Sequence, residues 1–190
     1  IIKDFNQKDA QAIKKIEKVT NHDVKAIEYW LKDSFKNEKE IIKVNEFIHF
    51  ACTSEDINNL AYALMLKEGL HKVLIPSIES ILKQTSMYSI KFSEISMLAK
   101  THGQTASPTT MGKEFANIAY RLKRQIIQLK NQDLLGKING AVGNFNAHMS
   151  AYPKKNWQKF SKEFITSIGL VYNPYTTQIE PHDFMAEIFH

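Results

Sequence analysis

Between Lys100 and Phe115 the chain reads Lys-Thr-His-Gly-Gln-Thr-Ala-Ser-Pro-Thr-Thr-Met-Gly-Lys-Glu-Phe. It places His102 on a Gly-bearing stretch, and imidazole is the one unperturbed side chain that exchanges a proton near neutral pH. The spacing predicts a helix start just beyond it. Ser107 caps the first free amides, Pro108 takes the first helical position, and Met111, Phe115, Ile118, Ala119, Leu122, Ile126 and Leu129 recur at helical spacing. A histidine held just outside a rigid element can reach a ligand. Loop histidines also act only as caps or hydrogen-bond partners, so residue chemistry leaves both roles open.

The other polar groups with chemistry in them are Asn21-His22-Asp23, Thr53-Ser54, Thr101 beside His102, and Gln178. Together they offer hydroxyl and amide donors for carboxylate or phosphate, plus an acid. Thr53 and Ser54 also read simply as helix caps, as do Thr20 and Asn21. The two roles are compatible, because free amides at a helix N-terminus attract anions. His22 beside Asp23 is either a satisfied surface histidine or part of a site. The stretch from Gly136 to Asn146 holds Gly136, Gly140, Gly143, Asn139 and Asn144, residues that tolerate unusual backbone angles; it is either a plain connection or a loop that approaches a ligand.

Other chemistries are disfavoured. None of the seven histidines (His22, His49, His71, His102, His148, His182, His190) stands in an HxxxH or HExxH pairing, so neither metal nor cofactor is expected. Cys52 is the sole cysteine, which precludes an internal disulfide and fits a reducing cytoplasm. Neither a GxSxG elbow nor a Walker loop is present.

Helices must position these groups. The first twenty residues, with Ile13, Ile16 and Val19, read as a helix. Thr20 and Asp23 form a capping box before Val24, Ile27, Leu31 and Phe35; Thr53 and Asp56 form another before Ile57, Leu60, Ala61 and Leu64. Pro76 kinks or restarts that run ahead of Ile78, Ile81 and Leu82. After Asn156, a helix places Trp157, Phe160, Phe164 and Ile168 on one face and stops at Gly169. Loops are expected at Phe47 to Ser54, Lys100 to Ser107 and Gly136 to Tyr152, and no strand is expected. The resulting fold class is all-α, a bundle with polar loops gathered at the helix ends.

With 190 residues, 43% of them hydrophobic, the chain can bury one good core. No run approaches the ~18 apolar residues of a membrane span. The opening Ile1-Ile2-Lys3-Asp4 is no signal peptide, and the missing initiator methionine marks a segment. A net charge of +5 invites a polyanion, but lysines alternate with acids (Lys14, Lys15, Glu17, Lys18; Lys36, Glu38, Lys39, Glu40), as on a solvated helical surface.

Four blocks in order carry a resemblance: Thr53-Ser-Glu-Asp-Ile-Asn-Asn59; Lys100-Thr-His-Gly-Gln104 with Pro108-Thr-Thr-Met-Gly-Lys113; Gly136-Lys-Ile-Asn-Gly-Ala-Val-Gly143; and Asn173-Pro-Tyr-Thr-Thr-Gln-Ile-Glu-Pro-His-Asp183. Together with Asn21-His-Asp-Val-Lys-Ala26, they resemble the adenylosuccinate lyases, the purine-biosynthesis branch of the aspartase/fumarase superfamily. The resemblance implies long antiparallel helices, a cytoplasmic homotetramer with active sites shared between subunits, and elimination of fumarate from two small molecules, adenylosuccinate and succinylated aminoimidazole carboxamide ribotide. It implies no nucleic-acid or membrane partner. It makes residues 1–50 the end of an N-terminal helical domain and 51–190 the first part of the central bundle.

By the same resemblance, His102 is the general acid that protonates the leaving nitrogen. Thr53 and Ser54 hold a succinyl carboxylate, Thr101 and Gln178 line the substrate, and Asn21, His22 and Asp23 contact the nucleotide. The family's base is a serine on a Gly/Ser-rich loop absent from these residues, so the segment alone is expected to be inactive. Two alternatives stand beside this reading: another fumarate-forming lyase of the superfamily, and a non-catalytic basic helical module that binds nucleic acid.

Overall fold

The computed structural model describes residues 3–190 and is mostly helical, with two short strand pairs. Two compact units are present. The first joins residues up to Leu64 with Leu134–His182, and the second joins Met65–Asp133 with Asp183–His190.

In the first unit α1 (Gln7–Thr20) packs on α2 (Asp23–Ser34). A capping box that the sequence reading missed starts α1: the Asn6 side chain accepts from the Lys8 amide at 2.8 Å, and Asp9 accepts from the Asn6 amide at 3.0 Å. The expected Thr20/Asp23 box does not form. His22 is instead the N-cap of α2, accepting the Lys25 amide on Nδ1, while the Thr20 hydroxyl donates to the His22 carbonyl. After α3 (Lys39–Ile42) and a 3₁₀ turn, α4 (Ser54–Gly69) begins the long helical run. Two-residue strands β3 (Leu135–Gly136) and β4 (Val171–Tyr172) pair in parallel; the reading from sequence had expected no strand. Their core is Leu60, Leu134, Ile165 and Leu170. A Cβ on Gly136 would stand 2.6 Å from Leu60 Cδ2, so any larger residue would force the Leu60 side chain to move. Beyond α7 (Asn146–Ala151), α8 (Trp157–Ser167) follows Asn156 as expected, with Asn156 as its cap, but its buried face is Ser161 and Ile165, with Phe160 and Phe164 exposed. The aromatic stripe at helical spacing thus misidentified the face that β4 covers.

In the second unit a π-helical turn at Leu70–Leu74 precedes α5 (Ile75–Lys91), whose first turn holds Pro76. Proline removes one amide donor, and the wider turn ahead of it absorbs the break that the sequence predicted. Helix α6 (Met111–Lys130) lies on α5, with Gly112 against the Ser89 carbonyl and the Ser93 backbone. The rings of Tyr88, Phe92 and Phe115 cluster at centroid separations of 5.3–5.9 Å. Short helix α9 (Asp183–Phe189) buries Phe184 and Ile188.

The stretch expected to be loop and helix start is a β-hairpin. Strands β1 (Ser96–Thr101) and β2 (Gln104–Thr110) pair antiparallel, and Thr110, not Ser107, caps α6 by accepting the Lys113 amide. Pro108 sits in β2 opposite Leu98 instead of at the first helical position. A two-stranded ribbon has two edges, and a residue without an amide donor is tolerated there.

Candidate active site

Two helix N-termini meet in the first unit. Because His22 Nδ1 accepts the Lys25 amide (3.2 Å), the neutral ring carries its proton on Nε2, which lies 3.3 Å from Ser54 Oγ at the start of α4. The Ser54 oxygen therefore accepts from the imidazole. One turn along α4, Asn58 donates to Asp23 at 3.0 Å, and Asp23 also accepts the Val24 amide at 2.7 Å. The Asn58 bond, followed by that amide, holds the Asp23 carboxyl below its ordinary pKa. Asn21 turns the chain between the helices with φ 51°, giving its amide to the Glu17 carbonyl.

The start of α4 is fixed from below. Asp56 is fully buried and accepts the amides of Thr53 (2.9 Å), Asn139 (3.1 Å) and Gly140 (3.1 Å) together with the Lys137 ammonium at 2.9 Å. Asn59 closes a reciprocal pair with the Lys137 backbone, at 2.9 and 3.0 Å. The glycine-rich loop is therefore a clamp on the helix that carries Thr53 and Ser54. Lys137, Asn139, Asp56 and Asn59 were not singled out as functional residues from sequence. Their signal lay in two of the quoted blocks, where buried positions carry polar side chains. The Thr53/Asp56 capping box is present in its carboxylate-to-amide half, and the same carboxylate also pairs with Lys137.

Gln178 is exposed within a segment tied at both ends: Asn139 donates to Thr176 Oγ1 at 2.8 Å, and His182 Nε2 stands 4.0 Å from Glu55 of α4. Asn21, His22, Asp23, Thr53 and Ser54, with the segment bearing Gln178, thus share one unit. Thr101 and His102 belong to the other, at the tip of the β1–β2 hairpin. His102 and Gly103 both have positive φ (51° and 75°), the requirement of a two-residue type I′ turn, and the imidazole is exposed.

A second buried charge supports α2. Glu28 is 5% exposed; its burial would raise its pKa, but hydrogen bonds from Lys25, His49 and Lys32 outweigh that and bring it from 4.5 to about 2. Elsewhere, lysines pair with acids a helical turn away: Lys36 with Asp33, Lys43 with Glu40 and Lys72 with Glu68.

A family described as lyase matches residues 1–190. The chain belongs to that lyase family. Its residues are 58% identical over 189 residues to adenylosuccinate lyase of Haemophilus influenzae, covering 100% of this chain and 41% of that protein. The corresponding figures for adenylosuccinate lyase of Escherichia coli K12 are 54% over 189 residues, 100% and 41%. The chain thus spans about 41% of the length of these curated relatives. The fold is similar to a fumarate lyase from Mesorhizobium sp. BNC1, with a TM-score of 0.79 at 20% identity over 97% of this chain and 41% of the other. It is also similar to β-carboxy-cis,cis-muconate cycloisomerase from Acinetobacter calcoaceticus sp. ADP1, with a TM-score of 0.73 at 19% identity over 94% and 40%. The resemblance first carried by the sequence blocks therefore holds along the whole chain, and the helical class is shared with these folds.

Proposed function

We propose that the protein containing this chain is an adenylosuccinate lyase, eliminating fumarate from adenylosuccinate to give AMP and from the succinylated aminoimidazole carboxamide ribotide. The observation that carries this reading is the junction of α2 and α4, in a chain more than half identical to enzymes of that name. Two helix N-termini bring their positive dipole ends together here, which suits a carboxylate or phosphate.

Elimination removes a proton from the carbon beside a carboxylate, and charge builds on that carboxylate before the nitrogen leaves. Thr53 and Ser54 hold the succinyl carboxylate, and the Ser54 hydroxyl, whose oxygen is engaged by His22, gives its hydrogen to it. Such a bond shortens as charge grows, so it stabilises the transition state more than the ground state. His102 is the general acid for the departing nitrogen; a turn tip with an exposed imidazole lets it reach a substrate held by another element. Asn21, His22 and Asp23 contact the nucleotide, and Thr101 and Gln178 line the substrate. The base that takes the carbon proton is not among these residues.

The enzyme works as a cytoplasmic homotetramer with shared active sites, residues 1–50 closing an N-terminal helical domain and 51–190 opening the central bundle. No helix among the described residues is long and apolar enough to cross a membrane. The test is substrate-specific: the full-length enzyme should release fumarate from both succinyl nucleotides, and His102→Gln should slow release from both at least ~10²-fold. Activity on argininosuccinate in their place would move the protein to another branch of the superfamily.

A further inference from the structure

Residues 173–182 form a strap that carries the exposed Gln178. Asn173 donates to Glu180 Oε1 at 3.0 Å, closing the segment on itself, and Glu180 is fully buried. At its middle, Asn139 donates to Thr176 Oγ1, and any side chain on Gly143, whose φ is 80°, would collide with the Thr176 carbonyl. The glycine-rich loop therefore seats one side of the strap.

The other side rests on His182. Its Nδ1 stands 3.7 Å from Glu180 Oε2 and its Nε2 4.0 Å from Glu55 Oε1, so each ring nitrogen faces a carboxylate. Glu55 lies in the first turn of α4, directly after Ser54, and its Oε1 is buried without a hydrogen bond. Buried acceptors seldom stay unpaired, and His182 Nε2 is roughly 1 Å beyond the ~3 Å of an N–H···O bond. The His182 side chain is 47% exposed, which leaves the ring room to turn. Only the doubly protonated ring donates on both sides, because a neutral imidazole has one donor and one acceptor.

We propose that His182 is a positioning residue: as an imidazolium it closes onto Glu55 while keeping Glu180, and so fixes the strap and Gln178 against the start of α4. Resting on the lyase reading, this makes the substrate contacts of Gln178 depend on the helix that carries Thr53 and Ser54. His182 touches no reacting atom. Its half-exposed ion pair contributes little to global stability, so its loss should be read in substrate binding and not in melting.

The test uses the full-length enzyme with adenylosuccinate. His182→Ala and Glu55→Ala should each raise KM about 10-fold, what one charge-assisted hydrogen bond is worth, while kcat stays within about 2-fold. The double variant should be no worse than either single one, because both remove the same bond. His182→Arg, a permanent cation with donors for two carboxylates, should recover most of the native KM. Hydrogen–deuterium exchange without substrate reads the latch itself: amides of residues 173–182 should exchange several-fold faster in His182→Ala, and those of α1 and α2 should not change. An unchanged KM, additive losses in the double variant, or strap exchange that His182→Ala leaves unaltered each overturns the proposal. If native enzyme releases no fumarate from adenylosuccinate, the lyase reading fails by itself, and the exchange comparison still decides the latch. If His182→Ala does not fold, Glu55→Ala carries the same comparisons.

Discussion

At the scale of single residues, His22 is both the cap of one helix and a hydrogen-bond partner at the start of another. Its Nδ1 stabilises the first turn of α2 and thereby fixes the proton on the nitrogen that faces Ser54. Thr53→Ala combined with Ser54→Ala should raise KM for adenylosuccinate, beside a separate stability loss of ~0.5–1.5 kcal/mol for the Ser54 bond to His22. A double mutant that melts earlier with unchanged kinetics would reduce both residues to structural roles. His102→Gln should lower turnover at least ~10²-fold while changing substrate affinity much less, because a general acid acts in the transition state; near-normal turnover at saturation would remove it from the chemistry. Glu28 makes a prediction about pH. Its folded pKa is depressed from 4.5 to about 2, so the stabilisation, on the order of 3 kcal/mol, is present above pH ~4.5 and is lost as pH falls toward 2. Urea unfolding of Glu28→Gln beside the native protein should show a gap that is widest near neutrality and closes on acidification. A gap independent of pH would contradict the ion cluster of Glu28 with Lys25, Lys32 and His49.

At the scale of elements, the clamp of the glycine-rich loop on α4 depends more on Asp56 than on Lys137. Asp56→Ala orphans a buried ammonium and three amides and should cost about 3–5 kcal/mol. Lys137→Met should cost less, because the carboxylate keeps its amide donors. The reverse order in denaturant unfolding would refute this division of roles. The same elements show what the sequence could convey. Helical periodicity located α2, α4, α5, α6 and α8, and the start of α8 after Asn156 was legible because helix starts are marked locally. The β1–β2 hairpin was not: the Ser107-Pro108 pair imitates a helix start, and only pairing with Leu98, an interaction across ten residues, makes it strand. The buried face of α8 was likewise misread, since Phe160 and Phe164 share helical spacing with Trp157 while tertiary contact selects Ser161 and Ile165. Of the candidate site, His22, Asp23, Thr53 and Ser54 are legible as polar residues at helix starts, where the structure places them. Asn58 and Lys137 make their bonds over sequence separations that local patterns do not record.

At the scale of the molecule, α6 leaves Ile118, Tyr120 and Ile127 at 46%, 67% and 50% exposure on a helix whose Ala119 and Ile126 are buried. Apolar area of this kind drives assembly at ~25 cal/mol per Å², so the purified 190-residue segment should self-associate in light scattering, and a well-behaved monomer would argue against the shared-subunit arrangement. The central claim concerns chemistry. Its most direct test is the full-length enzyme with adenylosuccinate, following fumarate and AMP together, and argininosuccinate in a parallel reaction. The account predicts fumarate and AMP in equal amounts and no fumarate from argininosuccinate. Absence of fumarate from adenylosuccinate, or release from argininosuccinate instead, would contradict it.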